Sequence, residues 1–408
     1  MSEPIVVKEY SEKRLDNCDL IKLQKYLECK NLGSAITVTP TGIKTKSWVG
    51  VIKYKNAHLE ILPKLICDNE DDKECIIRNL IYMLSYTKDL DIKINDNAKL
   101  STEKNPFIEV LIGEYAKSLF DCLKRTTPKK YVREDDNLRY LKGKIKFAEN
   151  IRYNCTNNSR FYCEYDEFSE NNNLNQLFLF VSSCLYSISN NSKNKKILKF
   201  IINYYSDINL VRFDKFKVQK IRLNRNQELF KRPFKLAKMF IEQTSVDLSR
   251  NKFENITLVW DMNYLFEKFI FEIMKKHEAE FGCKFDKQRN KLLLAENNRR
   301  TTKVDIMVEK DDEQIIIDTK YKKFENEDSF SNYDVYQVST YCLLHKANHA
   351  ILLYPQWGKE RLEIPKNHLN TGDNNYQIDF KTINLKYGNL RNNIKNIKDE
   401  IKTILGVS

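Results

Sequence analysis

Residues 301–323 read TTKVDIMVEKDDEQIIIDTKYKK, a stretch with the pattern of a β-hairpin. Val304–Val308 and Ile315–Ile317 are apolar, β-branched runs, and the polar segment Glu309–Glu313 between them suits a turn. Asp305 interrupts the first run, Asp318 closes the second, and Lys320 follows. Alternate strand residues share a face, which puts Asp318 and Lys320 on one side with Asp305 on the neighbouring strand. Two carboxylates and an amine then converge. With the main-chain carbonyl of Thr319, the carboxylates make a hard oxygen site for Mg²⁺, with Mn²⁺ as a substitute, and such an ion also takes phosphate oxygens. It activates water and neutralises charge growing on a phosphodiester. The Lys320 ammonium would orient that water or stabilise the phosphorus centre. An Asp at a strand end is also an ordinary turn residue, so the triplet by itself leaves both readings open.

The bulk composition narrows the class. The 408 residues hold 69 Lys and Arg against 56 Asp and Glu, a formal charge of +13. That excess favours a polyanionic partner such as double-stranded DNA; a Lys- and Asn-rich proteome is the competing explanation. A hydrophobic share of 41% with 12% aromatics supports packed cores and excludes a disordered chain. The length fits two or three domains. The ten cysteines show no C-x2-C pair and the five histidines no H-E-x-x-H set, so zinc is not expected and the chain reads as a reduced, cytoplasmic protein. The start lacks signal-peptide character, and no apolar run is long enough to span a membrane. Without a G-x4-G-K-[ST] loop, a nucleotide-driven motor must be another chain.

Three segments follow from the pattern. Residues 1–160 are expected to form a β-rich domain with helices, with Cys18–Lys30 helical and strands at Ala35–Val38, Ser47–Tyr54 and His58–Leu62. Helices are expected at Lys73–Leu90 and Pro106–Leu123, and an interrupted strand at Leu138–Phe147. There, Lys142, Lys144 and Lys146 either track phosphates or guard an edge strand with charge. Residues 161–250 read as helical. Asp166, Glu167 and Glu170 precede a helix at Leu174–Ile188 that Ser169 or a nearby Asn caps. In residues 251–408, the helix Met262–Glu280 is apolar almost all round, and Glu267 in its middle needs a cation, a metal or a hydrogen-bond network. Strands near Lys284–Asp286 and Lys291–Ala295, the hairpin, a helix at Tyr333–His345 and a strand at Ala350–Tyr354 complete the order αβββαβ. Gln337, with Tyr333 and Tyr341 at helical spacing, is the polar group that the second helix offers. An amphipathic helix is expected at Leu390–Leu405.

D-x(12)-D-x-K, from Asp305 to Lys320, resembles the PD-(D/E)xK nuclease core. WVGVIKYKNAHLEILPKL, LRYLKGKI, CEYDEFSENNNLNQL, WDMNYLFEKF, KVDIMV, IIIDTKYK and YQVSTYCLLHKANHAILLYP, in that order, resemble the McrC family of nuclease subunits from McrBC 5-methylcytosine-specific (type IV) restriction systems. Val304 stands where that family usually has Pro, and the residues after Trp357 are not matched. The resemblance implies an α/β fold, with an N-terminal β-rich domain that enters and activates the ring of a McrB-like AAA+ GTPase hexamer. GTP is used by that partner, and the C-terminal PD-(D/E)xK core cuts DNA with Mg²⁺. Asp305, Asp318 and Thr319 would hold the metal, Lys320 would act on water, and Glu267 and Gln337 would assist. Arg299, Arg300, Lys303 and Lys322 would meet the DNA backbone. Two alternatives remain: a sequence-specific McrC-like restriction complex, and a non-cleaving activator of a AAA+ GTPase.

Overall fold

The computed structural model describes residues 5–15, 17–29, 32–54, 57–67, 69, 72–87, 106–157, 159–247, 252–287, 290–294, 300–310, 313–324, 331–357, 367–371 and 374–407. In chain order the elements begin β1 (Ile5–Lys8), β2 (Glu12–Arg14), α1 (Asn17–Cys29), β3 (Ile36–Thr39), β4 (Gly42–Thr45), β5 (Trp48–Tyr54), β6 (Ala57–Leu62), α2 (Lys73–Tyr86) and α3 (Pro106–Leu123). Next come β7 (Lys130–Leu138), β8 (Lys144–Ile145), α4 (Phe147–Asn154), β9 (Phe161–Ser169), α5 (Asn173–Ile188), α6 (Ser192–Tyr204), α7 (Lys215–Gln219), α8 (Lys231–Gln243) and β10 (Thr244–Asp247). They are followed by β11 (Lys252–Asp261), α9 (Met262–Lys276), α10 (Glu278–Phe281), β12 (Lys284–Lys287), β13 (Asn290–Leu294), β14 (Arg300–Lys303), β15 (Ile306–Lys310) and β16 (Glu313–Thr319). The last are α11 (Asn332–His345), β17 (His349–Pro355), β18 (Asn367–Thr371), β19 (Asn374–Ile383) and α12 (Ile394–Leu405). The chain is of mixed α/β class. Contacts divide it into a discontinuous unit, Met1–Phe107 with Thr257–Ser408, and an inserted one, Ile108–Ile256. The sequence reading instead drew its boundaries after residues 160 and 250.

In the first unit β12, β15, β16, β17, β19 and β18 form a six-stranded sheet in that order. β15–β16 is an antiparallel hairpin, and β16–β17 and β17–β19 are parallel. Ile315, Ile316 and Ile317 are all buried, as a strand covered on both faces requires. The order α9, β12, β15, β16, α11, β17 is the αβββαβ core. β13 and β14 pair as a separate ribbon, so the expected Lys291–Ala295 strand lies outside the main sheet. α9 buries Met262, Leu265, Phe266, Phe269, Ile270, Phe271, Ile273 and Met274. Asp261 caps it, accepting from Asn263 N at 3.0 Å. β18 and β19 were not expected from the sequence. α12 buries Ile397, Ile401, Ile404 and Leu405, and Lys310 Nζ donates to the free carbonyls of Leu405 and Gly406 at 3.2 and 2.9 Å, a favourable cation at a helix C-terminus.

Upstream in the same unit β1, β6 and β5 lie side by side, with β1 parallel and β5 antiparallel to β6. β4, which the sequence reading omitted, pairs with both β2 and β3. Gly50 takes φ 133°, and a Cβ there would stand 2.0 Å from Leu258 O, so only glycine fits where β5 meets β11. Cys67 and Cys75, whose Cα atoms are 6.2 Å apart, are joined in a disulfide. This departs from the all-reduced set read from the sequence. The first turn of α2 brings Cys75 back against the preceding segment, within bonding range.

In the second unit β7, β9 and β8 form a small antiparallel sheet, and α3, α5, α6 and α8 supply buried helical faces. The expected strand at Leu138–Phe147 is only Lys144–Ile145, because Gly143 turns at φ 69° and α4 starts at Phe147. Lys142 pairs with Glu167 and lies 3.9 Å from the Tyr165 ring centroid. Lys146 pairs with Asp135 at 2.7 Å, so these two lysines have acidic partners. Asn172 is the α5 cap, accepting from Leu174 N and Asn175 N at 3.1 and 3.2 Å. Glu170 pairs with Lys129 at 3.1 Å. Among the described residues no helix is long and apolar enough to cross a membrane.

Candidate active site

The hairpin register assembles the site. Ile306 stands opposite Ile317 and Lys310 opposite Glu313, so one step beyond the last pair sets Asp305 across from Asp318. Asp305 lies in the bend before β15 rather than inside the strand as read from the sequence. The cause is local. Thr319 N and Thr319 Oγ1 both donate to Asp305 Oδ2, at 2.9 and 3.0 Å, while neighbouring Val304 is fully buried in the core.

Asp318 is 1% exposed. The Lys320 ammonium pairs with its Oδ2 at 2.7 Å. Lys320 Nζ donates to Gln337 Oε1 at 2.9 Å, and Gln337 Nε2 donates to Tyr341 OH at 2.7 Å. Lys320 N–H continues the sheet by donating to Leu353 O at 2.9 Å. From the first turn of α11, Asp334 reaches to 4.0 Å from Lys320 Nζ and pairs with Lys322. Glu267 on α9 pairs with Lys287 on β12 at 3.1 Å and acts electrostatically on Asp305.

The charges explain one another. Burial first, and Asp305 second, push the Asp318 carboxyl up to about 7. Burial and then Glu267 raise Asp305, partly countered by the Thr319 hydrogen bonds. Burial alone would lower Lys320, yet Asp318, with help from Asp334 and Asp305, holds its ammonium above the ordinary lysine value. Burial lowers Lys287, and Glu267 restrains the fall. Carboxylates pressed together out of water form a site that a divalent cation would relieve. No group of three or more His, Cys, Asp or Glu among the described residues is arranged to hold a metal alone. Two carboxylates and a carbonyl still fit Mg²⁺, which retains waters and takes ligands from a bound phosphate.

Asp305, Asp318, Thr319, Lys320, Gln337 and, through Asp305, Glu267 thus come together. Of the residues read as DNA contacts, Lys303 is exposed and Lys322 is tied to Asp334. Arg299 lies outside the described residues, and of Arg300 only the backbone, on β14, is described. Tyr333, read on the Gln337 face, is 71% exposed. It sits in the opening turn of α11, whose inward face begins with Asp334. Asp334 and Lys287 were not singled out from the sequence. Asp334 stands three residues before Gln337, the spacing of one helix face, which is the signal that would have found it.

None of the curated proteins compared with the chain matches it. Solved structures do, among them two of McrBC assemblies. One is a chain from a refined half-complex of a tetradecameric assembly of Thermococcus gammatolerans McrB AAA+ hexamers with bound McrC. It is 22% identical over 98% of this chain and 100% of that chain, with a TM-score of 0.77. The other is from the cryo-EM structure of the T. gammatolerans McrBC complex, 23% identical over 70% of this chain and 89% of that chain, with a TM-score of 0.55. At these identities the likeness is one of fold. The family described as McrBC 5-methylcytosine restriction system component matches residues 43–355, from β4 through the whole αβββαβ core, and the chain belongs to it.

Proposed function

We propose that this chain is the Mg²⁺-dependent DNA endonuclease subunit of a GTP-driven, modification-dependent restriction system. It works with a McrB-like AAA+ GTPase hexamer whose hydrolysis it stimulates. One observation carries the nuclease reading: Asp305, Asp318 and Lys320 meet at the end of β16, with Asp318 buried and paired with Lys320 at 2.7 Å. The partner follows from the family and from a fold shared with chains of McrB–McrC assemblies.

Asp305, Asp318 and the carbonyl of Thr319 would hold the metal. When bound, Mg²⁺ neutralises charge on the scissile phosphate and makes water a better nucleophile at neutral pH. The chain's own groups do the rest. Asp318 Oδ2 and Gln337 Oε1 hold Lys320 Nζ from two sides, so the ammonium keeps one direction, where it orients water and faces developing negative charge. Gln337 is itself fixed by Tyr341. Lys287 pairs with Glu267 at 3.1 Å, and the exposed Lys303 is placed to meet the DNA backbone.

The test is plasmid cleavage by the full chain with its AAA+ partner, GTP and Mg²⁺, on methylated and unmethylated DNA, beside Asp318→Ala. Cleavage requiring GTP, the partner and Asp318 is expected, with a preference for the methylated plasmid. Stimulated GTP hydrolysis without cleavage would replace this reading with that of an activator. Equal cutting of both plasmids would remove the modification dependence.

A further inference from the structure

A carboxyl group more than three hundred residues away in sequence reaches the backbone next to Lys320. Glu9 N–H extends the β1–β6 ladder by donating to Leu62 O at 2.9 Å. The chain then turns at Tyr10, which takes φ 51°, a left-handed conformation that an aromatic residue rarely adopts and that surrounding structure must hold in place. The turn delivers both side chains to Tyr321. Glu9 is 0% exposed. Its Oε1 accepts from Tyr321 OH and from Lys64 N, each at 2.7 Å, and its Oε2 meets no hydrogen-bond donor among the described residues. Tyr10 OH donates to Tyr321 O at 3.3 Å. Tyr321 is therefore held at its hydroxyl and at its carbonyl. Its ring lies 5.9 Å from that of Phe266, the residue before Glu267.

Position gives this clamp its meaning. The β16–β17 pairing ends at Thr319, and Lys320 and Tyr321 are the first residues beyond it. Lys320 N–H makes the last sheet bond, to Leu353 O at 2.9 Å; beyond it something else must hold the chain that leaves Lys320. Glu9 and Tyr10, anchored through β1 to a different sheet, do so. We propose that Glu9 is a positioning residue for the nuclease site, acting through the Tyr321 hydroxyl to hold the backbone that aims Lys320 at Asp318. The inference rests on the nuclease reading. Burial holds the Glu9 carboxyl up at about 7, the mark of an acid kept in the core against a desolvation cost.

The test uses the full chain with its AAA+ partner, GTP, Mg²⁺ and plasmid DNA. Tyr321→Phe removes only the hydroxyl, Glu9→Leu removes the acceptor, and Glu9→Gln keeps an oxygen at Oε1. Misplacing a reacting group by a fraction of an ångström to one ångström is expected to lower kcat about ten- to a hundredfold. That loss is expected in Tyr321→Phe and Glu9→Leu, with KM for DNA, partner binding and GTPase stimulation unchanged. Glu9→Gln recovers most of the rate, and the double variant Glu9→Leu/Tyr321→Phe is no slower than the slower single one. Unchanged kcat in Tyr321→Phe overturns the proposal, as does a loss shared equally by kcat, KM and partner binding, which marks a general loosening of the fold. If Glu9→Leu fails to fold, Tyr321→Phe decides. Failure of the unaltered chain to cleave overturns the nuclease reading and this inference with it. Cleavage by the unaltered chain and by both variants alike removes only the positioning role.

Discussion

Replacing Asp318 by Asn is expected to stabilise the metal-free protein while abolishing cleavage. The carboxyl of Asp318 is 1% exposed, faces Asp305 across the hairpin, and is pushed from an ordinary 3.8 up to about 7. A folded-state value above the unfolded one means that the native chain holds a proton that the unfolded chain releases. Stability contributed below pH about 4 is therefore lost as pH rises to about 7, and remains lost above it. At roughly 1.4 kcal/mol per unit, a rise of roughly three units corresponds to at most about 4 kcal/mol at pH 8. Asn gives part of this back. It loses the ion pair with Lys320 at 2.7 Å, which offsets about half, because a buried ammonium deprived of its counterion is itself costly.

The net expectation is a gain of about 1–2 kcal/mol, hence a melting temperature higher by about 2–8 °C in EDTA at pH 8. At pH 5, where Asp318 in the unaltered chain is largely protonated, the gap should nearly close. Thermal melts of the metal-free chain and Asp318→Asn across pH 5–8 read this directly, and added Mg²⁺ should raise the melting point of the unaltered chain alone. If the variant melts lower at pH 8, or the gap does not widen with pH, then Asp318 is not held at a cost and the electrostatic account of the site is wrong.

Other perturbations test neighbouring links. Lys320→Met strips Asp318 of the ammonium at 2.7 Å; a loss of about 3 kcal/mol or more in urea melts and of cleavage by at least a hundredfold in a plasmid assay is expected. Gln337→Leu leaves the Lys320 ammonium and Tyr341 hydroxyl without their shared partner, so kcat should fall about tenfold and stability by about 1–2 kcal/mol, read by single-turnover cleavage and denaturant unfolding. Glu267→Gln removes a charge that acts on Asp305 and leaves Lys287, already lowered by burial, without its ion pair; a Mg²⁺ titration of cleavage should shift to higher concentration.

Much of the site was legible because its geometry is local. The polar segment Glu309–Glu313 between two apolar runs marks a hairpin, although the strands pair further, to Lys310 opposite Glu313, than the sequence reading drew them. That register alone brings Asp305 to Asp318, and strand alternation places Lys320. Helical spacing likewise set Gln337 beside Tyr341. The missing parts are those whose partners lie far along the chain. Nothing near Glu267 names Lys287 as its counterion, and nothing in Glu9 points to Tyr321. Asp334 was hidden by a second plausible role, since acids are favoured in the first turn of any helix. The strand expected at Leu138–Phe147 failed for another reason: its alternating lysines imitate an edge strand, but Gly143 turns the chain and α4 begins four residues later. β18 and β19 escaped notice because NHLNTGDNNYQIDF is too polar to show a strand pattern, although its buried apolar residues, Tyr376, Ile378 and Phe380, alternate as a strand should.

The register argument has a consequence that separates it from a composition argument. Asp305 and Asp318 face each other only because β15 and β16 pair with Ile306 opposite Ile317. Inserting one residue between Asp305 and Ile306 keeps every side chain of both strands, the charge and the turn, yet moves Asp305 off the site, where Thr319 N and Oγ1 now hold it. Deleting one residue inside β15 would do more, turning Met307 and Val308 to opposite faces and so breaking the core. The insertion variant should therefore fold, with a melting temperature close to that of the unaltered chain in EDTA, because Asp318 is relieved of its neighbour while Thr319 loses its acceptor. It should bind the partner and fail to cleave. Cleavage by the insertion variant at a rate within about tenfold of the unaltered chain, roughly 1.4 kcal/mol in barrier, would show that the carboxylate pair is not the centre of the chemistry, whatever the sequence pattern around it resembles.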